Sequence, residues 1–115
     1  MPEIKTEFLF TIAFEVQALD LGDTPCGHRR IIRSGAGRFA GPKLKGIVLP
    51  GGGGWSLLRR DDTFVIDMRV TLETDDKQHI YMMWKGLRHG PREVIDRLDR
   101  GEAVDPASYY FRTTP

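Results

Sequence analysis

The alternation of apolar and polar residues between Thr63 and Thr74 constrains the fold more than any other feature of the sequence. Five apolar residues share one face of this segment: Phe64, Ile66, Met68, Val70 and Leu72. A period of two residues places them on one side of a β-strand, with Asp67 and Arg69 on the other. The segment therefore predicts a half-buried strand. The flanking pairs Asp61-Asp62 and Asp75-Asp76 predict turns.

The same two-residue period recurs in residues 6–18, where five large apolar residues share one face. They are Phe8, Phe10, Ile12, Phe14 and Val16. Other extended runs predict further strands over 29–34, 38–49, 55–60, 78–88 and 108–113. Strands joined by connections this short pair as an antiparallel sheet.

One segment has helical character, and two are rich in turn-forming residues. Residues 91–100 predict a helix, because Pro91 is tolerated in a first turn and Gly101 ends the run. Residues 20–27 and the glycine run 51–54 predict loops or sharp turns.

The length of the chain and the number of strands bound the architecture. A chain of 115 residues, with 40% hydrophobic and 29% charged residues, has the size and composition of one globular domain. Antiparallel sheets of several strands avoid open edges by curling into barrels. We therefore predict an all-β, mainly antiparallel fold: a small β-barrel with one short helix, formed by residues 1–115 as a single domain.

Charge and hydropathy patterning indicate the partners and the compartment. A formal net charge of +1 predicts neither a nucleic-acid partner nor an anionic membrane partner. The N-terminal residues lack the basic and apolar segments of a secretory signal, and no stretch approaches the ~20 apolar residues of a membrane-spanning helix. These features predict a cytoplasmic protein.

The polar face of the 63–74 strand carries the first candidate site. Asp67 and Arg69 are two residues apart, so their side chains point to the same side and reach a common ligand. If this face lines the interior, Asp67 is a candidate catalytic acid or base. Alternatively, apolar residues fill the interior and the charged face is solvated, where an ion pair contributes little. Alternation by itself favours the second arrangement.

A cationic stretch among glycines and two aromatic residues supply the remaining candidates. Arginine binds carboxylates and phosphates through paired donors, and Arg29 is the cation we assign to ligand binding. Most of the other cationic residues in this stretch are interpreted as a solvated surface. The run Gly51–Gly54 lacks the lysine and the following helix of a P-loop. Trp55 and Tyr81 suit the mouth of a ligand cavity, although core packing is the commoner role of such residues.

The histidines and the single cysteine do not predict a metal or a cofactor. His28, His79 and His89 lack the spacing of metal ligands, and Cys26 has no arrangement of partners for a metal site or a nucleophile. We expect neither a bound metal nor a cofactor.

Short motifs along nearly the whole chain resemble those of a bacterial and fungal family of small proteins, a domain of unknown function grouped with the calycins. The matching residues are Gly27 and Arg29; Phe39, Gly41, Pro42, Leu44 and Gly46; Leu49 to Gly52 and Trp55; Arg60 and Asp61; Asp67 and Arg69; Gly101, Glu102 and Val104 to Pro106; and Tyr110 to Thr113. The resemblance implies a lipocalin-like barrel and no particular activity. Because it includes Asp67 and Arg69, it strengthens the arrangement in which they line the interior.

The sequence departs from this family in two places. The family often has an aspartate immediately before the tryptophan, where this sequence has Gly54, so a role for that carboxylate is not carried over. Family members usually continue beyond the Tyr110–Thr113 segment with further strands, whereas this sequence stops at Pro115. Two alternatives follow: a naturally short or truncated member of the family, or a barrel completed by another subunit.

Three functions follow from this sequence. The first is binding of a small anionic or aromatic organic molecule by Arg29, Trp55, Arg69 and Tyr81, with Asp67 nearby. The second is an isomerase, cyclase or hydrolase of small organic acids, with Asp67 as the catalytic acid or base and Arg29 or Arg69 as its partner. The third is a structural homo-oligomer that pairs through an open edge. The fold alone does not decide among them.

Overall fold

The computed structural model describes residues 2–115 as one antiparallel sheet of six strands. The strands are β1 (Thr11–Thr24), β2 (Gly27–Ala40), β3 (Lys45–Leu58), β4 (Phe64–Thr74), β5 (His79–His89) and β6 (Tyr110–Thr114). Each strand pairs with the next along the chain, so β1 and β6 lie at the two edges. The predicted all-β antiparallel class is confirmed.

The sheet curls strongly, and its apolar face is the concave one. The ring of Phe14 on β1 lies 6.1 Å from that of Trp84 on β5, although three strands separate them in the sheet. Phe39, Val48, Val70 and Leu72 form the centre of one buried cluster. Phe64, Ile66 and Met68 form a second. The alternation in β4 therefore corresponds to one face packed inside the curl and one face outside it.

The glycine run 51–54, predicted as a turn, lies inside strand β3, so that prediction was wrong. These glycines permit close approach between strands. A Cβ atom on Gly54 would lie 2.1 Å from the sulfur of Met68 and 2.7 Å from the backbone oxygen of Asp67. The pairing of β3 with β4 is also irregular between Leu49 and Gly53. The glycine run therefore does not end β3 but lets the strand bend and pack closely against β4.

Other boundaries also differ from the predictions: β1 begins at Thr11 rather than at residue 6, and β2 and β3 extend beyond the short strands predicted over 29–34 and 55–60. Strand β1 continues to Thr24, through most of the predicted loop at 20–27, and turns at Pro25-Cys26. The predicted strand at 38–49 is divided by a tight turn, in which the amide of Gly41 donates to the carbonyl of Leu44 at 2.8 Å.

The predicted helix forms α1 (Arg92–Asp99), followed by a short 3₁₀ turn (Pro106–Ser108). None of the residues of α1 is buried. Ion pairs connect both of its ends to the sheet: Arg92 contacts Asp62 at 3.0 Å, and Asp99 contacts Arg88 at 3.1 Å. Within residues 2–115, no helix has the length and apolar character needed to cross a membrane.

We predict that replacing Gly54 by alanine destabilises the protein by about 1–3 kcal/mol, because the added methyl group overlaps the backbone of β4. Rotation of the Met68 side chain cannot relieve the contact with the Asp67 carbonyl. Gly35→Ala is the matched control, since its nearest neighbours would lie at an ordinary 3.5 Å. Urea denaturation of both variants measures the difference. Equal midpoints would show that β3 and β4 are not held at this separation.

Candidate functional site

The orientation of β4 assigns the charged and apolar residues to opposite faces. Phe64, Ile66 and Met68 are buried on the concave face. Asp67 and Arg69 lie on the convex face, as expected for the arrangement with an apolar interior. The convex face also carries Arg29, Trp55 and Tyr81, so all five candidate residues from the sequence share one side of the sheet.

Three of these candidates come together around a shallow groove on the convex face. Trp55, Arg69 and Tyr81 line a space of about 320 Å³ above the backbone of Gly51–Gly53. Trp55 and Tyr81 are both exposed. The absence of side chains on these glycines of β3 leaves the groove between the larger residues.

The other two candidates lie on the same face but outside the groove lining. Arg29 donates a hydrogen bond from Nη1 to the backbone oxygen of Trp55 at 3.2 Å. Asp67 lies opposite Lys85 in the sheet register, and its Oδ1 atom is buried with no hydrogen-bond partner among residues 2–115. Asp67 is therefore a carboxylate with unused acceptor capacity beside a groove.

The concave face carries a different cavity, open to solvent, of about 230 Å³. Its lining residues are Phe14, Val16, Ile32, Ser56, Phe64, Ile66, Met68, Trp84 and Phe111. The Ser56 side chain is 1% exposed, and its hydroxyl makes no hydrogen bond within the described chain. The cavity is thus an apolar space with one polar group, and β1 and β6 contribute to its rim.

Two arginines lie at one end of this concave face. Arg88 is opposite Phe64 in the register, and its guanidinium carbon is 4.7 Å from the centroid of the Phe64 ring. Arg30 is opposite Ser56, and its guanidinium carbon is 5.6 Å from the same ring. Both side chains are largely shielded from solvent, at 14% exposure for Arg88 and 21% for Arg30.

Carboxylates from two elements balance these cations. Asp99, the last residue of α1, has its Oδ1 atom 3.1 Å from Arg88 and 4.0 Å from Arg30. Asp20 on β1 accepts a hydrogen bond of 2.7 Å from Arg30 Nε and also contacts His28 at 3.3 Å. Hydrogen bonds from Arg30 first, and from His28 second, hold the pKa of Asp20 below its ordinary value.

A small second cavity lies between α1 and this end of the sheet. Its volume is about 70 Å³, and Arg30, Arg88, Ile95 and Asp99 contribute to its lining. Phe64 lines both this cavity and the larger apolar one. The two spaces therefore adjoin the same aromatic ring: the larger one is apolar, and the smaller one lies beside the two arginines.

Sequence reasoning missed Arg30, Ser56 and Arg88, although a signal for two of them was present. Arg88 follows the same two-residue period as Ile80, Met82 and Trp84. Its charged side chain therefore lies on the apolar face of the strand. Arg30 is likewise in phase with Ile32, yet it was interpreted as one of several solvated cations. Ser56 carries no such signal, because small polar residues occur on either face.

No group of three or more histidine, cysteine, aspartate or glutamate residues within positions 2–115 is arranged to hold a metal ion.

We predict that Arg30→Met raises the pKa of Asp20 toward its ordinary value of 3.8, because it removes the main hydrogen bond to that carboxylate. In the native protein, the contribution of Asp20 to stability is present above its unfolded pKa and is lost as the pH falls through its lower folded pKa. Carbon-detected NMR titration of the aspartate carboxyls measures the pKa of Asp20 in the native protein and in the variant. Arg33→Met, an exposed arginine on the same strand, is the control and leaves the Asp20 titration unchanged.

Comparisons with known proteins place the chain among bacterial relatives. A UPF0311 protein of Rhodopseudomonas palustris is 36% identical over 115 residues, which cover 99% of this chain and 75% of the relative. A UPF0311 protein of Clostridium acetobutylicum is 36% identical over 108 residues, covering 94% and 68% of the two chains.

Three solved structures share the fold. The crystal structure of the Rhodopseudomonas palustris protein matches with a TM-score of 0.90 at 35% identity, covering 98% of this chain and 75% of that one. A Clostridium acetobutylicum structure matches with a TM-score of 0.79 at 35% identity, covering 93% and 73%. A protein of Acinetobacter baumannii, described as β-barrel like, matches with a TM-score of 0.65 at 33% identity, covering 96% and 80%.

The family comparison covers almost the whole sequence. Residues 4–115 match the family described as "Protein of unknown function (DUF3237)". The resemblance read from the motifs is thereby confirmed as to the family and its bacterial members. On this match and on relatives at 35–36% identity, the chain belongs to the DUF3237 family.

Proposed function

We propose that the protein binds a small organic molecule, aromatic or otherwise apolar over most of its surface, in the concave interior of the sheet. The observation that carries this proposal is the cavity of about 230 Å³, whose lining is apolar apart from the Ser56 hydroxyl. Ligand sites typically combine an apolar lining with a few polar groups that orient the ligand. Ser56 supplies one such group.

The size and lining of the cavity favour a ligand of one or two rings. Its volume is slightly below the roughly 300–1,000 Å³ of typical ligand pockets. Phe14 and Trp84 offer aromatic contacts, and Met68 offers a flexible thioether that adapts to a flat ring. Each methylene-sized group buried there would contribute about 0.8 kcal/mol to binding.

The proposed binding mode matches the calycin-like barrel that the motif resemblance implies. In that arrangement the ligand lies inside the curl of the sheet rather than on its outer surface. The strong curl that brings Phe14 next to Trp84 supports this placement. The same two residues line the cavity, so the curl and the cavity are parts of one feature.

We predict that Ser56→Leu abolishes or weakens binding of a small aromatic probe by at least about tenfold, because the larger side chain occupies the cavity. The probe is 2-naphthamide, a neutral compound, and isothermal titration calorimetry measures its affinity. Thr11→Leu, an exposed position on β1, is the matched control and leaves the affinity unchanged.

Two outcomes contradict this proposal. Absence of binding by the native protein of both 2-naphthamide and its carboxylate analogue 2-naphthoate is one. The other is binding that survives Ser56→Leu in a protein whose circular dichroism and melting temperature match those of the native chain.

A second candidate function is catalysis at the convex face. The observation that favours it is the buried, unpartnered Oδ1 atom of Asp67 beside the groove lined by Trp55, Arg69 and Tyr81. An acceptor without a partner is available to take a proton from a bound substrate, and Arg69 or Arg29 would stabilise the resulting anion. The proposed reactions are isomerisation, cyclisation or hydrolysis of small organic acids and their esters.

We predict that any such activity falls at least about 100-fold in Asp67→Asn, because the amide keeps the shape of the side chain and loses its basicity. The measurement is a pH–rate profile on the substrate found by screening aryl esters and lactones. Lys85→Met, which removes the opposite charge on β5 without touching the carboxylate, is the control. An unchanged rate in Asp67→Asn would exclude Asp67 as the catalytic acid or base.

Self-association through the sheet edges is proposed as an accompanying property. Strand β1 lies at one edge and carries exposed Leu19 and Leu21, and β6 lies at the other. Unpaired edge strands offer backbone donors and acceptors to a neighbouring chain. Either edge would thus support a homo-oligomer.

A further inference from the structure

We propose that the ligand of the concave cavity is a carboxylate, that Arg88 and Arg30 bind its charged group, and that Asp99 of α1 occupies this position until the ligand displaces it. The inference rests on the proposed function, since it assigns the polar end of a molecule whose apolar body lies inside the sheet. It adds a ligand class, two binding residues and a movable helix.

The two arginines already hold one carboxylate oxygen between them. Asp99 Oδ1 lies 3.1 Å from Nη2 of Arg88 and 4.0 Å from Nη1 of Arg30. The Nε atom of Arg88 is buried and has no hydrogen-bond partner in the described part of the chain. A guanidinium binds a carboxylate best through two parallel hydrogen bonds, and Asp99 leaves part of this capacity unused.

Asp99 is a weakly held occupant of this position. Its side chain is 38% exposed, compared with 14% for Arg88. It is also the last residue of α1, where the helix dipole disfavours a negative charge. None of the residues of α1 is fully buried, although Val94, Ile95 and Leu98 are half-buried.

The surrounding charges favour exchange of one carboxylate for another over addition of a second anion. Arg30 and Arg88 face Asp99, and Arg30 also pairs with Asp20, so the cations are already balanced. Asp62, Asp96 and Arg92 also line the small cavity, where Arg92 pairs with Asp62 at 3.0 Å. A phosphate dianion would meet these acids in a space of about 70 Å³, whereas a carboxylate replaces the Asp99 group with equal charge and shape.

Phe64 lies between this charged end and the apolar cavity. Its ring lines both spaces, and the Arg88 guanidinium lies 4.7 Å from its centroid. A ligand with its rings against Trp84 and Met68 would extend past Phe64 to bring its carboxylate to the arginines. The arrangement therefore fits an aromatic or short aliphatic acid.

A purely structural role of Arg88, fastening α1 to the sheet, is the alternative. The two roles differ in their response to a ligand. If Arg88 only fastens the helix, a carboxylate ligand has no advantage over its neutral analogue. If Arg88 binds the ligand, the carboxylate is favoured and its binding releases α1.

The experiment compares 2-naphthoate with 2-naphthamide by isothermal titration calorimetry on the full chain. The native protein is expected to bind the carboxylate at least about tenfold more tightly than the amide. Arg88→Met should remove this preference, and Arg88→Lys should retain part of it. Asp99→Asn should raise the naphthoate affinity, because the competing carboxylate is gone.

Arg92→Met is the matched control. It breaks the other ion pair that fastens α1, to Asp62, and leaves both arginines of the site in place. The preference for naphthoate over naphthamide should persist in this variant. Loss of the preference in Arg92→Met would indicate that helix attachment, rather than the arginine pair, controls binding.

Hydrogen exchange of the α1 amides provides a second readout. Naphthoate should increase exchange in the helix, and naphthamide should not. Equal affinities for the two probes overturn this inference alone and leave the proposed function standing. Absence of binding by both overturns the proposed function and, with it, the inference.

Discussion

The packing of β1 against β5 across the concave face is the interaction on which the rest of the structure depends. Phe14 reaches Trp84 because the sheet curls until strands that are distant in pairing order come into contact. That contact completes the burial of the alternating residues of β4, which a flat sheet would leave exposed on one side. The curl in turn requires close approach between β3 and β4, and Gly54 allows it where any side chain would overlap the Asp67 carbonyl.

The same curl explains how two arginines come to lie beside an apolar interior. Arg30 and Arg88 are on β2 and β5, with two strands between them, and both approach the Phe64 ring on β4. Burial of a cation is costly unless it is paired, and Asp20 and Asp99 supply the partners from an edge strand and from the helix. The short helix α1 is therefore held at this end of the sheet by ion pairs together with its half-buried residues Val94, Ile95 and Leu98.

The sequence predicted the fold class well because most of the information was local. The alternation in β4, the aspartate turns beside it and the proline at the start of α1 each act within a few residues. The run Gly51–Gly54 gave a wrong prediction, because glycines occur both in turns and where two strands pack closely. The position of the Met68 side chain, on the neighbouring strand, distinguishes these two roles. Arg88 was missed because its partner Asp99 and its neighbour Phe64 come from other elements.

The two faces of β4 offer ligands different physical environments, and this difference favours the concave side for tight binding. On the convex face, Trp55 and Tyr81 are exposed and Arg69 lies in water, which screens its charge. On the concave side, Arg88 is largely shielded and adjoins an apolar wall, so its attraction for an anion is less reduced by solvent. Asp67 and Met68 are neighbours in the sequence, yet the side chain of Asp67 lies on the convex face and that of Met68 on the concave face. Successive side chains along the strand point to opposite faces of the sheet. The curl of the sheet determines which of these faces is the concave one.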